Sequence, residues 1–186
     1  MKRLLALLLL LTLLAGCAGT QEEIDPMLRL RSSLQKGNGC SFDAVITADY
    51  GDQIHTFEVS CTAGSTGNTS FTVLAPDSIR GITGIIDADA GKLTFDDTAL
   101  AFSLLADGQL SPVSAPWVFL KAMLGGYIRS AGKDGSLLRC DVDDSYEDDA
   151  LNLSIWLDDA GLPVRAEIGY RGRRILSLAV SNFQIL

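Results

Sequence analysis

Among 186 residues the chain holds a single histidine, His55, and only two tryptophans. A lone imidazole has no second imidazole with which to share a metal, and no Gly-x-Ser-x-Gly elbow accompanies it. Neither a zinc centre nor a hydrolytic triad can therefore be assigned. Cysteine is scarce as well: Cys17, Cys40, Cys61 and Cys140 are the four, and none has the Cys-x-x-Cys spacing of a metal or redox site. No metal and no cofactor are expected. Positive charge is in the minority, 15 Lys and Arg against 23 Asp and Glu, for a formal net charge of -8. Such a balance argues against nucleic acid and against electrostatic adhesion to anionic lipid. The longest apolar run, Leu4 to Leu14 broken by Thr12, is too short to span a bilayer. Internal repeats and domain-splitting linkers are missing too, so one domain and a monomer are expected.

What the chain does have begins at its start. Lys2 and Arg3 precede the apolar run, and small residues follow it, the layout of an export signal. Leu14-Ala15-Gly16-Cys17 resembles the lipobox of bacterial lipoproteins, in which the Cys thiol is lipidated, with chains of palmitate type, and the signal is removed before it. Residues 1–16 are accordingly expected to be a signal peptide, residues 17–25 a polar tether, and residues 26–186 the folded domain. Loss of Lys2 and Arg3 makes the mature chain more acidic still, so the membrane would be reached through acyl chains. The expected location is extracytoplasmic, in the cell envelope. Ala18 after Cys17 is compatible with the outer membrane where an organism has one, and otherwise the anchor lies in the plasma membrane.

Asp25-Pro26 has the form of a helix start, Asp as N-cap and Pro at the first helical position. Met27, Leu28, Leu30 and Leu34 then form an apolar face, and Gly37 and Gly39 end the helix. From Cys40 to Asp49 apolar and polar residues alternate, and they do so again from Gln53 to Cys61, with Tyr50-Gly51-Asp52 between: a hairpin. A Tyr50-Gly51 loop puts Cys40 opposite Cys61, and a Gly51-Asp52 loop puts them diagonally. Either register keeps both thiols on one face, and outside the cytoplasm a Cys40–Cys61 bridge is expected, leaving Cys140 reduced. Residues 69–74, 84–89, 92–96 and 100–104 follow as short strands. Trp117, Phe119, Leu120, Met123 and Leu124 recur at helical spacing before Gly125-Gly126. Residues 136–142, 151–157, 164–170 and 175–183 read as four more strands, each with one wet face. The fold class is therefore α+β, mostly β: a single curved antiparallel sheet of about ten strands, an incomplete β-barrel, with one or two helices over its concave face.

The lipobox, the N-terminal helix, the two meanders split by a helical insert and the run Ile155-Trp156-Leu157-Asp158-Asp159-Ala160-Gly161-Leu162-Pro163-Val164-Arg165-Ala166-Glu167 resemble the outer-membrane lipoprotein carrier and receptor superfamily, LolA and LolB. In that family the late hairpin often reads apolar, Trp, apolar, Asp, a turn, then Gly-Leu-Pro. Asn182-Phe183 fits its last strand. The resemblance implies an incomplete barrel with helices as a lid, enclosing an apolar cavity for acyl chains. It also implies an exposed apolar side chain on a loop after an early strand, for which Ile79 or Ile82 is the nearest candidate.

An apolar second helix over a curved sheet either packs as core or leaves room for a ligand. Trp117, Leu120 and Met123 are the candidates to line a hydrophobic site, with Phe95, Phe102 and Trp156 facing the same space. The expected function is non-enzymatic binding of a lipid or another hydrophobic, acylated ligand. The alternatives are a surface recognition or scaffolding lipoprotein without a cavity and, last, a hydrolase built around His55. Two acidic stretches invite calcium. In Asp87-Ala88-Asp89-Ala90-Gly91 the Gly falls too early for an EF-hand and Thr98 stands where a bidentate Glu is needed, so a turn is expected. Asp141, Asp143, Asp144, Glu147, Asp148 and Asp149 are expected to form a solvated loop.

Overall fold

The protein is described here by a computed structural model covering residues 20–86, 93–95, 106–108, 110–147 and 149–186. Helix α1 (Thr20–Lys36) leads into strands β1 (Gly39–Asp49), β2 (Ile54–Gly64), β3 (Thr69–Ala75), β4 (Thr83–Ile86) and β5 (Leu93–Phe95). Helix α2 (Ala115–Gly125) separates these from β6 (Tyr127–Asp134), β7 (Leu137–Asp143), β8 (Asn152–Leu157), β9 (Pro163–Tyr170) and β10 (Arg173–Ile185). All ten strands form one sheet in the order β5-β4-β3-β2-β1-β10-β9-β8-β7-β6, with every neighbouring pair antiparallel. The two meanders join through β1 and β10, and β5 and β6 stand at opposite edges, so the sheet is open.

Period-two patterning places the strands. On β1, Phe42, Ala44, Ile46 and Ala48 are buried, and on β2, Phe57, Val59, Cys61 and Ala63 are buried, so both strands turn one face to the helices. In the first hairpin Asp49 pairs with Ile54, the Tyr50 N–H donates to the Gln53 carbonyl at 2.9 Å, and Gly51 takes φ +95°. This is the Gly51-Asp52 loop, in which Gly supplies the left-handed conformation that the tight turn requires. It sets Cys40 against Ala63 and Cys61 against Phe42. The expected Cys40–Cys61 bridge is thus corrected: the two thiols stand diagonally and, like Cys140, are free and buried.

Three further expectations change. The helix α1 starts at Thr20 rather than Asp25, so residues 20–25 belong to the helix and not to a tether. Glu23 and Asp25 place negative charge in its opening turns, which favours a helix N-terminus. Its buried stripe is Met27, Leu30 and Leu34, while Leu28 faces out, 46% exposed. Strand β6 was not foreseen, because its residues are exposed or half-buried and show no alternation to read. The expected strand 100–104 and the acidic turn 87–91 lie outside the described residues.

A bulge bends the long central strand. The β1–β10 register shifts between Ser41 and Asp43, Asn182 takes φ +53°, and its Nδ2 donates to Asp43 Oδ2 at 2.8 Å. An extra residue of this kind increases local twist and curves a sheet. Phe42 lies in the hollow so formed, edge-on to Phe119 of α2 with ring centroids 5.7 Å apart, and stacked on Phe183 at 5.8 Å.

Candidate ligand-binding site

Helix α2 is apolar on nearly every side, and it lies where such a helix must. Val118, Phe119, Leu120, Ala122 and Met123 are all buried, and Trp117 and Leu124 are half-buried against the same core. Leu120 (1% exposed) and Met123 (0%) therefore fill space between helix and sheet. Trp117 carries Lys121 Nζ 5.4 Å from its ring centroid. Phe95 falls in β5, and Phe102 lies outside the described residues.

Trp156 does not face that space. Leu153, Ile155 and Leu157 of β8 point to the core, so Trp156 points away from the helices. The register sets Arg139 and Arg165 on either side of it. Their guanidinium carbons lie 5.4 and 4.3 Å from the ring centroid, and the indole Nε1 donates to Asp134 Oδ2 at 2.8 Å. The expectation that Trp156 shares the helix-covered side is corrected on this geometry: an indole can be buried under stacked arginines as well as under aliphatic core.

Open space lies on both sides of α1. The first cleft, about 780 Å³, runs between α1 and the β6–β7 and β8–β9 turns. Leu30, Leu137, Leu138, Leu162 and Ile185 supply its apolar lining, and Arg29, Lys133, Asp158 and Asp159 its charged margin. The second cleft, about 720 Å³, lies between α1, the α2–β6 junction and the loop after β7, and is lined by Ile24, Leu28, Tyr127, Ile128 and Tyr146. Arg31 walls it off from α2: its Nε donates to the Met123 carbonyl at 2.8 Å and its Nη2 to those of Ala122 and Gly126 at 3.2 and 2.7 Å. Close packing at this junction requires Gly126, where a Cβ would stand 2.4 Å from Val142 Cγ1. Sequence reasoning missed both clefts. The signals available were Leu28, out of phase with the buried stripe, and Leu162 within the Gly-Leu-Pro turn.

The acidic residues disperse. Asp141 lies on β7, where burial alone would raise its carboxyl, but hydrogen bonds from Ser154, Ser130 and Arg139 outweigh that and hold it below the usual range. Asp143 meets Arg129 Nε at 3.1 Å and accepts from Asn152 at 2.7 Å, and Asp144 accepts the Leu151 N–H at 2.8 Å. Asp148 is outside the described residues. Among the described residues no three His, Cys, Asp or Glu side chains converge as a metal site would need. His55 stands at the exposed end of β2, its ring 5.6 Å from that of Tyr50. Burial pushes the Cys40 thiol up to about 12 and, with Asp141 adding to it, Cys140 to about 11; burial likewise raises Cys61. These thiols are protonated and poorly nucleophilic at neutral pH.

No protein-family model matches the sequence, and no curated protein does. Among solved structures it is similar to a LolA superfamily protein from Nitrosomonas europaea, at 8% identity and TM-score 0.45, over 86% of this chain and 93% of that one. It is also similar to LprF from Mycobacterium bovis, at 13% identity and TM-score 0.44, over 89% and 95%. A LolA-like fold fits.

Proposed function

We propose that this chain is an extracytoplasmic lipoprotein, anchored through Cys17 after removal of residues 1–16, that binds a lipid or another acylated, apolar ligand without chemical conversion. The observation that supports this reading is the first cleft. Its volume of about 780 Å³ lies within the usual range of ligand sites, and its lining combines apolar side chains such as Leu30, Leu138 and Leu162 with the charged Arg29, Lys133, Asp158 and Asp159. An acyl chain laid on Leu30, Leu138 and Leu162 gains about 0.8 kcal/mol for each methylene removed from water. Arg29 and Lys133 at the margin are suited to a polar headgroup, and Asp158 and Asp159 confine where it sits. Thr20 opens α1 only three residues after Cys17, a span of about 10 Å at full extension. The wall of the cleft is thereby kept close to the bilayer that carries the anchor.

Mass spectrometry of the protein extracted under native conditions tests this directly, with a bound lipid as the expected result. In titrations with a fluorescent fatty-acid analogue, Leu138→Asp and Leu162→Asp should each weaken uptake about tenfold. A protein that emerges lipid-free and takes up no analogue would sink this reading. It would favour a recognition module without a cavity, for which the specific observation is that Leu120 and Met123 fill the space under α2. That module would use the outer face of β6–β9, and Arg165→Ala would then abolish partner binding.

A further inference from the structure

We propose that the second cleft is a docking groove for a basic, amphipathic peptide segment of a partner protein. Eight large apolar side chains are exposed among the described residues, and three of them, Leu28 at 46%, Tyr127 at 50% and Tyr146 at 86%, converge on this one cleft. Ile24 and Ile128, both half-buried, continue its floor. The rings of Tyr127 and Tyr146 lie with centroids 5.1 Å apart, so the aromatic wall is already assembled. Tyrosine in this setting combines a large apolar contact with a hydroxyl at the rim, the character of an interface anchor.

The charge around the groove selects the occupant. Asp143, Asp144 and Glu147 rim it, and the chain as a whole is acidic. Among the described residues of its lining Arg31 is the one cation, and its Nε and Nη2 are engaged by three backbone carbonyls of the α2 end. Asp143 is answered by Arg129, whereas Asp144 accepts only from a backbone N–H in the contacts described above. Arg171, which lines the adjoining pocket with Tyr127, Tyr146 and Glu147, meets Asp107 at 2.8 Å, so Asp144 and Glu147 leave the mouth negative. An anionic bilayer or an acidic peptide is repelled from it, and an uncharged acyl chain leaves the carboxylates unanswered. A segment with Leu or Phe side chains on one face and Lys or Arg on the other satisfies floor and rim together, the helix-in-groove mode of recognition with complementary charge.

The test uses the lipid-anchored protein in nanodiscs of zwitterionic lipid, with empty nanodiscs as reference, titrated with a short synthetic Lys/Leu peptide of helical period and its Glu/Leu counterpart. The Lys/Leu peptide should bind above the reference, the Glu/Leu peptide should not, and high salt should weaken the binding. Leu28→Ser with Tyr146→Ser should weaken it about tenfold, and so should Asp144→Asn with Glu147→Gln. All four are surface or acceptor-preserving changes, and circular dichroism should match the parent. Asp52→Asn with Asp77→Asn, an equal charge change outside the groove, should leave binding unaltered. Equal binding of both peptides, variants indistinguishable from the parent, or an equal loss with Asp52→Asn and Asp77→Asn would overturn the proposal. So would sedimentation showing a dimer that Leu28→Ser with Tyr146→Ser dissolves, or hydrogen exchange showing the groove shielded by the nanodisc lipid itself.

Discussion

At Trp156 the outer face of a strand buries an indole to 4% exposure beneath charged neighbours. Arg165 and Arg139 stack over the ring, Arg165 also pairs with Glu167, and Glu167 accepts from Arg174 at 3.0 Å. Truncating the indole removes its packing, the donor to Asp134 and the surface on which both guanidinium groups stack, although Arg139 and Arg165 keep Asp141 and Glu167 as partners. Trp156→Ala should destabilise the fold by about 3 kcal/mol, at the low end for large aromatics because the site is near the surface, and urea unfolding will measure it. Arg165→Lys, which loses the planar stack but keeps the charge, should cost about 0.5–1 kcal/mol. The same network sets a dependence on pH. Burial would raise Glu167, but hydrogen bonds from Arg165 and Arg174 hold it below the ordinary carboxylate range, as Asp141 is held by Ser154, Ser130 and Arg139. Because both are depressed in the folded state, their contribution is complete above the unfolded value, about 4, and is lost as pH falls through the folded ones. Thermal melts should therefore drop below about pH 4, and Asp141→Asn with Glu167→Gln should flatten that drop.

At the scale of elements, the pair α1 and α2 acts as one body. Arg31 and Gln35 of α1 together donate to the carbonyls at the C-terminal end of α2, Gln35 Nε2 to that of Leu124 at 3.0 Å. Arg31 is partly buried, and that desolvation lowers its pKa, yet its planar donors reach the Met123 and Gly126 carbonyls at the helix end and share that of Ala122 with the Gly126 N–H. Arg31→Met should destabilise by about 2 kcal/mol, and Arg31→Lys should recover little of it, since a single ammonium cannot span the three acceptors; chemical denaturation checks both. Helix α2 itself was legible, because Trp117, Phe119, Leu120 and Met123 repeat at helical spacing. Strands β1, β2, β8 and β9 were legible from alternation for the same reason: local periodicity records which face is buried. Arg31 was not, since its partners lie about ninety residues away in sequence, and nothing local to it reports a helix end. Strand β6 was not, because an edge strand without a fully buried face need not alternate. The clefts were illegible for a related reason: each is a gap between α1 and turns distant in sequence, and a gap leaves no pattern in any one stretch. Trp156 alternates with the buried Leu153, Ile155 and Leu157, but parity alone does not say that two arginines cover an indole on the outer face, and so it was expected on the helix side.

At the scale of the whole molecule, the strand order puts the first and last strands side by side in the middle of the sheet, and the chain ends of the domain are tied there. The Asn38 N–H donates to the Leu186 carbonyl at 2.8 Å and the Leu186 N–H to that of Gly39 at 2.9 Å. Time then enters through synthesis. A chain made and delivered N-terminus first builds β1 to β5 as a meander with β1 at its edge, and β6 to β9 as another with β9 at its edge. Until the 13 residues of β10 arrive, two unsatisfied strand edges coexist in one chain, each able to recruit the wrong neighbour. Removing residues 173–186 should therefore leave not a weakened domain but an aggregating one, seen as loss of soluble protein and of near-ultraviolet circular dichroism. The final strand is the closure on which both halves wait, and the chain's last residues decide whether its first ones are safe.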